Sequence, residues 1–171
     1  RLEHGAVLGR IRAGDDGDHE FKLAMEAAGV GAWRWDVANG RLHLSDAAQR
    51  LIGLTESRAT YSAFLARVDP DDHAFVDRSM RASADRGEAF DFDFRTSAVG
   101  EVGRWLRMRG RAHGIQGGSV EARGIVIDIA RRKAAEEANS RLAAIVASSE
   151  DAIVAKTLEG IVTDWNAGAE T

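Results

Sequence analysis

The sequence contains no cysteine, which excludes disulfides, thiolate metal ligands, thiol nucleophiles and any covalent cysteine adduct. It also lacks a long hydrophobic run. Its apolar stretches fall far short of the roughly 18 residues a membrane helix needs, and its first residues carry no signal-peptide pattern. A soluble, cytoplasmic chain is the expectation. A basic excess is missing as well: the net charge is −4 and the pI near 5.8, which argues against a dedicated nucleic-acid binder or a polyanionic partner. Proline occurs once.

What is present fits an ordinary globular domain. The 171 residues are 44% hydrophobic and 29% charged, enough for one domain of roughly 100 to 130 residues that folds without a staple, with something left over. Sliding the chain against itself by 120 positions sets Met25 on Ile145, Ala32 on Ala152, Gly40 on Gly160, Leu42 on Val162 and Ala47 on Ala167. The repeated plan is a helix end, a strand, a turn ending in glycine, a second strand and a polar residue opening a helix.

In the first copy Trp33, Trp35 and Val37 alternate with Arg34 and Asp36, the period of a half-buried strand. Asn39-Gly40 marks a tight turn, and Arg41 to Leu44 returns. Ser45 is placed to cap a helix that Gly53 closes. The second copy runs from Ala152 through Gly160 to Trp165, with Asn166 as its cap, and then the sequence stops. A lone hairpin is marginal in water, so residues 151–171 are expected to be disordered or to borrow a partner's surface, and the sequence to be a piece of a longer protein.

Before the first strand, Phe21, Met25 and Ala28 recur at helical spacing after Asp18, which predicts a short amphipathic N-terminal helix. Asp69-Pro70-Asp71-Asp72 combines a cap, a first-turn proline and N-terminal negative charge. It opens a helix to about Ala84 with Phe75, Val76 and Met80 inward. Three strands follow. Phe90, Phe92 and Phe94 alternate with Asp91, Asp93 and Arg95; Trp105, Arg107, Arg109 and Arg111 alternate with Leu106, Met108, Gly110 and Ala112; the last runs from Ala122 to Asp128. Antiparallel pairing is expected to set the carboxylates of the first against the guanidinium groups of the second. From there Ala135, Ala138, Leu142 and Ile145 form a short heptad seam, with Arg132 and Glu136 one turn apart.

This order resembles the PAS fold over Asp18 to about Ala138. The resemblance is carried by Gly31-Ala32-Trp33-Arg34-Trp35-Asp36, Asp69-Pro70-Asp71-Asp72, Gly103-Arg104-Trp105-Leu106 and the run Gly124 to Lys133. Asp128-Ile129-Ala130 looks like the family's Asp-Ile-Thr signature with alanine in place of threonine. Asp69 stands where the family often has histidine. Residues 147–153 and 164–170 resemble the opening of a second PAS unit.

The resemblance implies an α+β fold, a five-stranded antiparallel sheet flanked by short helices, between an N-terminal amphipathic helix and a C-terminal coiled-coil-like exit helix. The expected division is a flexible segment over 1–17, a PAS domain over 18–130, a linker helix over 131–149 and a truncated second PAS domain over 150–171. It further implies a sensor in a bacterial signalling protein, relaying ligand or partner binding through the exit helix to an output domain, a histidine kinase above all. The alternative is a ligand-free dimerisation module of a cyclic-dinucleotide enzyme. Asp128, Ile129 and Arg132 are the relay candidates. Trp35, Leu44, Phe75, Met80, Phe92, Phe94, Met108 and Ile127 are the candidates to line a ligand cavity. Phe21, Met25, Trp105, Ala138, Leu142 and Ile145 are the candidates for a homodimer interface.

No cofactor is evident. The missing cysteine excludes a flavin adduct, and of the five histidines only His73 falls on the helix facing a PAS cavity, which disfavours haem; non-covalent flavin is equally unsupported, and an unidentified small ligand stays open. Catalysis has no support either: no phosphate loop, metal-binding histidine pair or kinase motif is present. The acidic cluster Asp15, Asp16 and Asp18 is rejected as a calcium loop, because Phe21 and Leu23 fall on ligand positions. A ligand-responsive sensor and a ligand-free relay both remain, and the size of the interior cavity separates them.

Overall fold

A computed structural model describes residues 24–25, 27–97, 103–114 and 118–170. The expected helix from Asp18 lies mostly outside them, although Ala24 and Met25 are helical. The chain divides into two compact units that meet at Asp128 and Ile129.

The first unit comprises β1 (Val30–Asp36), β2 (Arg41–Leu44), α1 (Asp46–Ile52), β3 (Arg58–Thr60), α2 (Tyr61–Leu65), α3 (Pro70–Arg86), β4 (Ala89–Arg95), β5 (Trp105–Gly114) and β6 (Val120–Asp128). The strands form one antiparallel sheet in the order β3-β2-β1-β6-β5-β4. It has six strands rather than five, because Arg58-Ala59-Thr60 adds a short edge with a single buried residue, too brief to show alternation.

Local chemistry places each helix. Ser45 Oγ accepts from the Ala48 N–H at the start of α1 and from the Ala32 N–H, so one hydroxyl caps the helix and ties it to β1. Gly31 permits the close crossing of these two elements: a β-carbon there would sit 2.5 Å from Ala48 Cα. Asp69 caps α3, with Pro70 in its first turn, and Gly87 ends it in the left-handed region at φ 69°.

The inward stripe of α3 is Val76, Met80 and Ser83, spaced four and three apart. Phe75, read as inward, is instead 44% exposed, one residue off that stripe, with its ring against the edge of Phe92. Ser83 is the polar member. Its hydroxyl donates to the Glu88 carbonyl at 2.6 Å and accepts from the Ala112 N–H at 3.1 Å, joining helix, turn and β5 inside the core. Ser83→Ala strands that amide away from water and is expected to lower stability by about 1 to 3 kcal/mol, measured by urea unfolding.

The second unit comprises α4 (Ala130–Ser148), the hairpin β7 (Val154–Lys156) and β8 (Val162–Trp165), and a single 3-10 turn (Ala167–Ala169). Residues 151–170 thus form a hairpin rather than a disordered tail, with Val154, Val162 and Trp165 each more than half exposed. Asn166 organises it. Its Oδ1 accepts from the Ile153 N–H, and its Nδ2 donates to the carbonyls of Val146, Ser149 and Asp151. It stands at the cap position but makes no side-chain cap bond.

The internal repeat is present with a corrected offset. Ala32 and Ser45 exchange a backbone bond and a side-chain bond, and so do Ile153 and Asn166, 121 positions further on. Trp33 opposite Leu44 likewise recurs as Val154 opposite Trp165. The turn glycines, Gly40 and Gly160, stay 120 apart, and the one-residue difference is absorbed by an irregularity between Ala155 and Lys156.

Candidate functional site

The two faces of the first unit's sheet have different chemistry. On the face covered by α1 to α3 the core is a continuous run of rings. Trp33 stacks on Phe90 at 5.7 Å between centroids, and Phe90 on Phe92 at 5.2 Å. Phe92 meets Phe94, Phe94 meets Phe64 and Phe64 meets Tyr61, each at 6.1 Å. Tyr61 stacks on Trp35 at 4.3 Å, so the run begins and ends on β1. Such pairs contribute about 0.5 to 1.5 kcal/mol each beyond the area they bury.

Of the residues expected to line a cavity, Trp35, Leu44, Met80, Phe92, Phe94 and Met108 are all buried together in this cluster. Ile127 is not among them. On β6 the inward positions are Ala122, Gly124 and Val126, which puts Ile127 on the opposite face beside Val30 and Arg107. His73 is exposed on α3 and lines a surface cleft with Val68 and Ser97, so it presents no ligand to the inner face.

Phe64 and Tyr61, which close the ring run, were not legible as site residues. Their helix has five residues, and its signal is Thr60, whose hydroxyl accepts from the Ala63 N–H. Tyr61 donates to Asp77 at 3.0 Å, and burial followed by that bond pushes its phenol well above the ordinary value. Among the described residues, the indole N–H groups of Trp33 and Trp35 on this face have no hydrogen-bond partner, on residues only 3% and 2% exposed.

The opposite face carries charge. As the alternation predicted, Arg107 reaches Asp93 at 2.6 Å and Arg109 reaches Asp91 at 2.8 Å across β4 and β5. Trp105 lies on this face, half-buried, with the Arg95 guanidinium over its ring at 5.6 Å. Arg95 also grips α3. Asp72 accepts from its backbone N–H at 2.8 Å and from its guanidinium at 2.9 Å through both carboxylate oxygens.

That guanidinium holds the Asp72 carboxyl below its usual value. Because the folded value is the lower one, the stabilisation is complete above the unfolded aspartate value of about 3.9 and is lost as the pH falls through the folded value. Asp72→Asn is expected to reduce stability by about 1 to 2 kcal/mol at pH 7. The gap between variant and parent should narrow in paired denaturation curves as the pH falls below the unfolded aspartate value and through the lower folded one.

The strand that leads out of this unit, β6, ends at Asp128, whose carboxylate lies 3.8 Å from Arg104. The cap position of α4 is Ile129, without a side-chain cap bond. Within α4, Arg132 reaches Glu136 at 2.7 Å. Ala138, Leu142 and Ile145 are exposed, the last two at 62% and 56%. Met25 lines a groove on the charged face, and Phe21 lies outside the described residues.

Comparison with known proteins agrees with this geometry. No family model matches the chain. The Sensor protein FixL of Bradyrhizobium diazoefficiens is 32% identical over 163 residues, covering 91% of this chain and 32% of that protein. The Blue-light-activated histidine kinase of Brucella anthropi is 31% identical over 119 residues, 68% of this chain and 24% of that protein. A solved structure of a sensory box histidine kinase/response regulator from Burkholderia thailandensis matches with a TM-score of 0.60 at 25% identity, covering 73% of this chain and 95% of that one. The chain spans about a third or less of these curated relatives' own length.

An antiparallel sheet with helices on one face, a last strand that runs out to the exit helix, and these relatives together define a sensory domain of signal transduction. The chain belongs to the PAS domains of such sensors.

Proposed function

We propose that this PAS domain is a regulatory part of a sensor histidine kinase and acts as a partner-responsive relay, with no catalytic group of its own. The observation that carries the reading is the ring run on the inner face. Six of the eight residues placed to line a ligand cavity pack against one another instead, which leaves the charged face and the exit strand as the surfaces that receive and pass on a signal. A groove of about 700 Å³ opens on that charged face.

In this reading the relay residues are Asp128, Ile129 and Arg132, at the passage from β6 to α4. Arg104, just before β5, lies 3.8 Å from the Asp128 carboxylate at the end of β6, so the ion pair links the two strands at the point where the chain leaves the sheet. The similarity to the Blue-light-activated histidine kinase and to the sensory box histidine kinase/response regulator supports a kinase as the downstream domain. Among the described residues no helix is long and apolar enough to cross a membrane.

The chain is further read as a homodimer through the seam Ala138, Leu142 and Ile145, with Met25, Phe21 and Trp105 contributing. Exposed Leu142 and Ile145 three residues apart on α4 support this. Replacing both with Lys is expected to weaken self-association at least tenfold in sedimentation equilibrium. Unchanged association would remove the seam from the interface.

A further inference from the structure

The pairing register of the charged face aligns a row of basic side chains that the sequence scatters over 90 residues, from Arg34 to Arg123. Arg58 on β3 is opposite His43 on β2, His43 opposite Arg34 on β1, Arg34 opposite Arg123 on β6, and Arg123 opposite Arg111 on β5. Strands lie about 4.7 to 4.9 Å apart, so five basic side chains cross five strands in a line roughly 19 Å long. Arg58, Arg34, Arg123 and Arg111 are exposed.

Like charges directly opposite one another destabilise a sheet. One carboxylate answers them: Glu121 lies 3.7 Å from Arg34 and 2.6 Å from Arg123. Among the described residues no carboxylate pairs with Arg58, His43 or Arg111. The contrast with the next strands is direct, since Arg107 and Arg109 on the same face are each matched by an aspartate.

We propose that this row is the docking surface for the chain's own acidic run, Asp15 to Glu20. That run reads Asp-Asp-Gly-Asp-His-Glu, four carboxylates in six residues. It is close by along the chain: Met25 lines the groove beside the row, together with Arg34, His43, Arg58, Arg123 and Ile125. Gly17 precedes Met25 by eight positions, a span of about 12 Å along the helix expected from Asp18, which keeps the run within the length of the row. A short, tethered acidic segment suits the surface better than a long polyanion. The row is bounded by Asp91 and Asp93 on one side and by Asp36 on the other, and the chain is acidic overall. The inference is independent of the relay reading.

The absence of cysteine provides the test. A nitroxide on the single cysteine of Gly17→Cys reports, in the full chain, which backbone amides the acidic run approaches, through paramagnetic broadening of their NMR signals. Broadening is expected at Arg34, His43, Arg58 and Arg123. It should be lost in two separate backgrounds: the run neutralised (D15N, D16N, D18N, E20Q), and the row neutralised (R34Q, R58Q, R123Q). Should the second background fail to fold, the first decides alone. Broadening that survives neutralisation, or none in the parent, overturns the proposal. Broadening seen only when spin-labelled and isotope-labelled chains are mixed assigns the site to a second copy, which overturns it equally.

Discussion

Gly124→Val should abolish stable folding of the first unit, with a loss of at least about 3 kcal/mol. Gly124 and Gly110 are opposite one another on β6 and β5, and the benzenoid ring of Trp33 lies across both. A β-carbon on Gly124 would fall on the Arg109 carbonyl oxygen, with Gly110 Cα and the Trp33 ring each 2.7 Å away. Two of these three obstacles are backbone in the middle of the sheet, where nothing can yield without breaking the ladder. Arg111→Ala, one residue from Gly110 but pointing outward, should change stability by less than about 0.5 kcal/mol. Urea unfolding of the two variants side by side tests the contrast, and equal effects would show that Trp33 does not depend on the bare glycine pair.

Phe94→Ala should cost about 3 to 5 kcal/mol. Phe94 is fully buried and joins Phe92 to Phe64, so removing it interrupts the ring run at its centre and leaves a cavity bounded by strands on one side and helices on the other. Phe75→Ala, which removes the same side chain from an exposed position on α3, should cost under about 1 kcal/mol. A comparable loss for both would mean that Phe75 turns inward in solution, contrary to its place beside the Val76 and Met80 stripe.

The contrast between these two phenylalanines also shows what sequence can and cannot convey here. Strands with strict alternation were legible: Phe90, Phe92 and Phe94 face inward as their period requires, and the Asp–Arg ladder follows from the same parity. Punctuation by Ser45, Gly53, Asp69 and Pro70 was legible because each residue acts on its own neighbours. Where two apolar residues are adjacent, as Phe75 and Val76, one sequence does not say which lies on the stripe. Ser83 hid the stripe further by placing a hydroxyl at its third position.

The run Gly-Ile-Val-Ile-Asp was ambiguous for a similar reason. It is apolar on both faces, so the choice between Val126 and Ile127 rests on partners in β1 and β5 that are distant in the chain. The cationic row is the clearest case. Each of its members is an ordinary surface residue in its own strand, and only the register of four strand pairings aligns them. The repeat was found one residue out of register, because its turn glycines are 120 apart while the polar anchors Ser45 and Asn166 are 121 apart.

The packed inner face is what makes this PAS domain a relay in the present account, and native mass spectrometry of the freshly purified full chain tests it most directly. The prediction is a dimer at the mass of two unmodified chains. A reproducible extra mass in every preparation would contradict it. That result would mean the ring run opens to admit a guest, whose first expected contacts are the unpartnered indole N–H groups of Trp33 and Trp35.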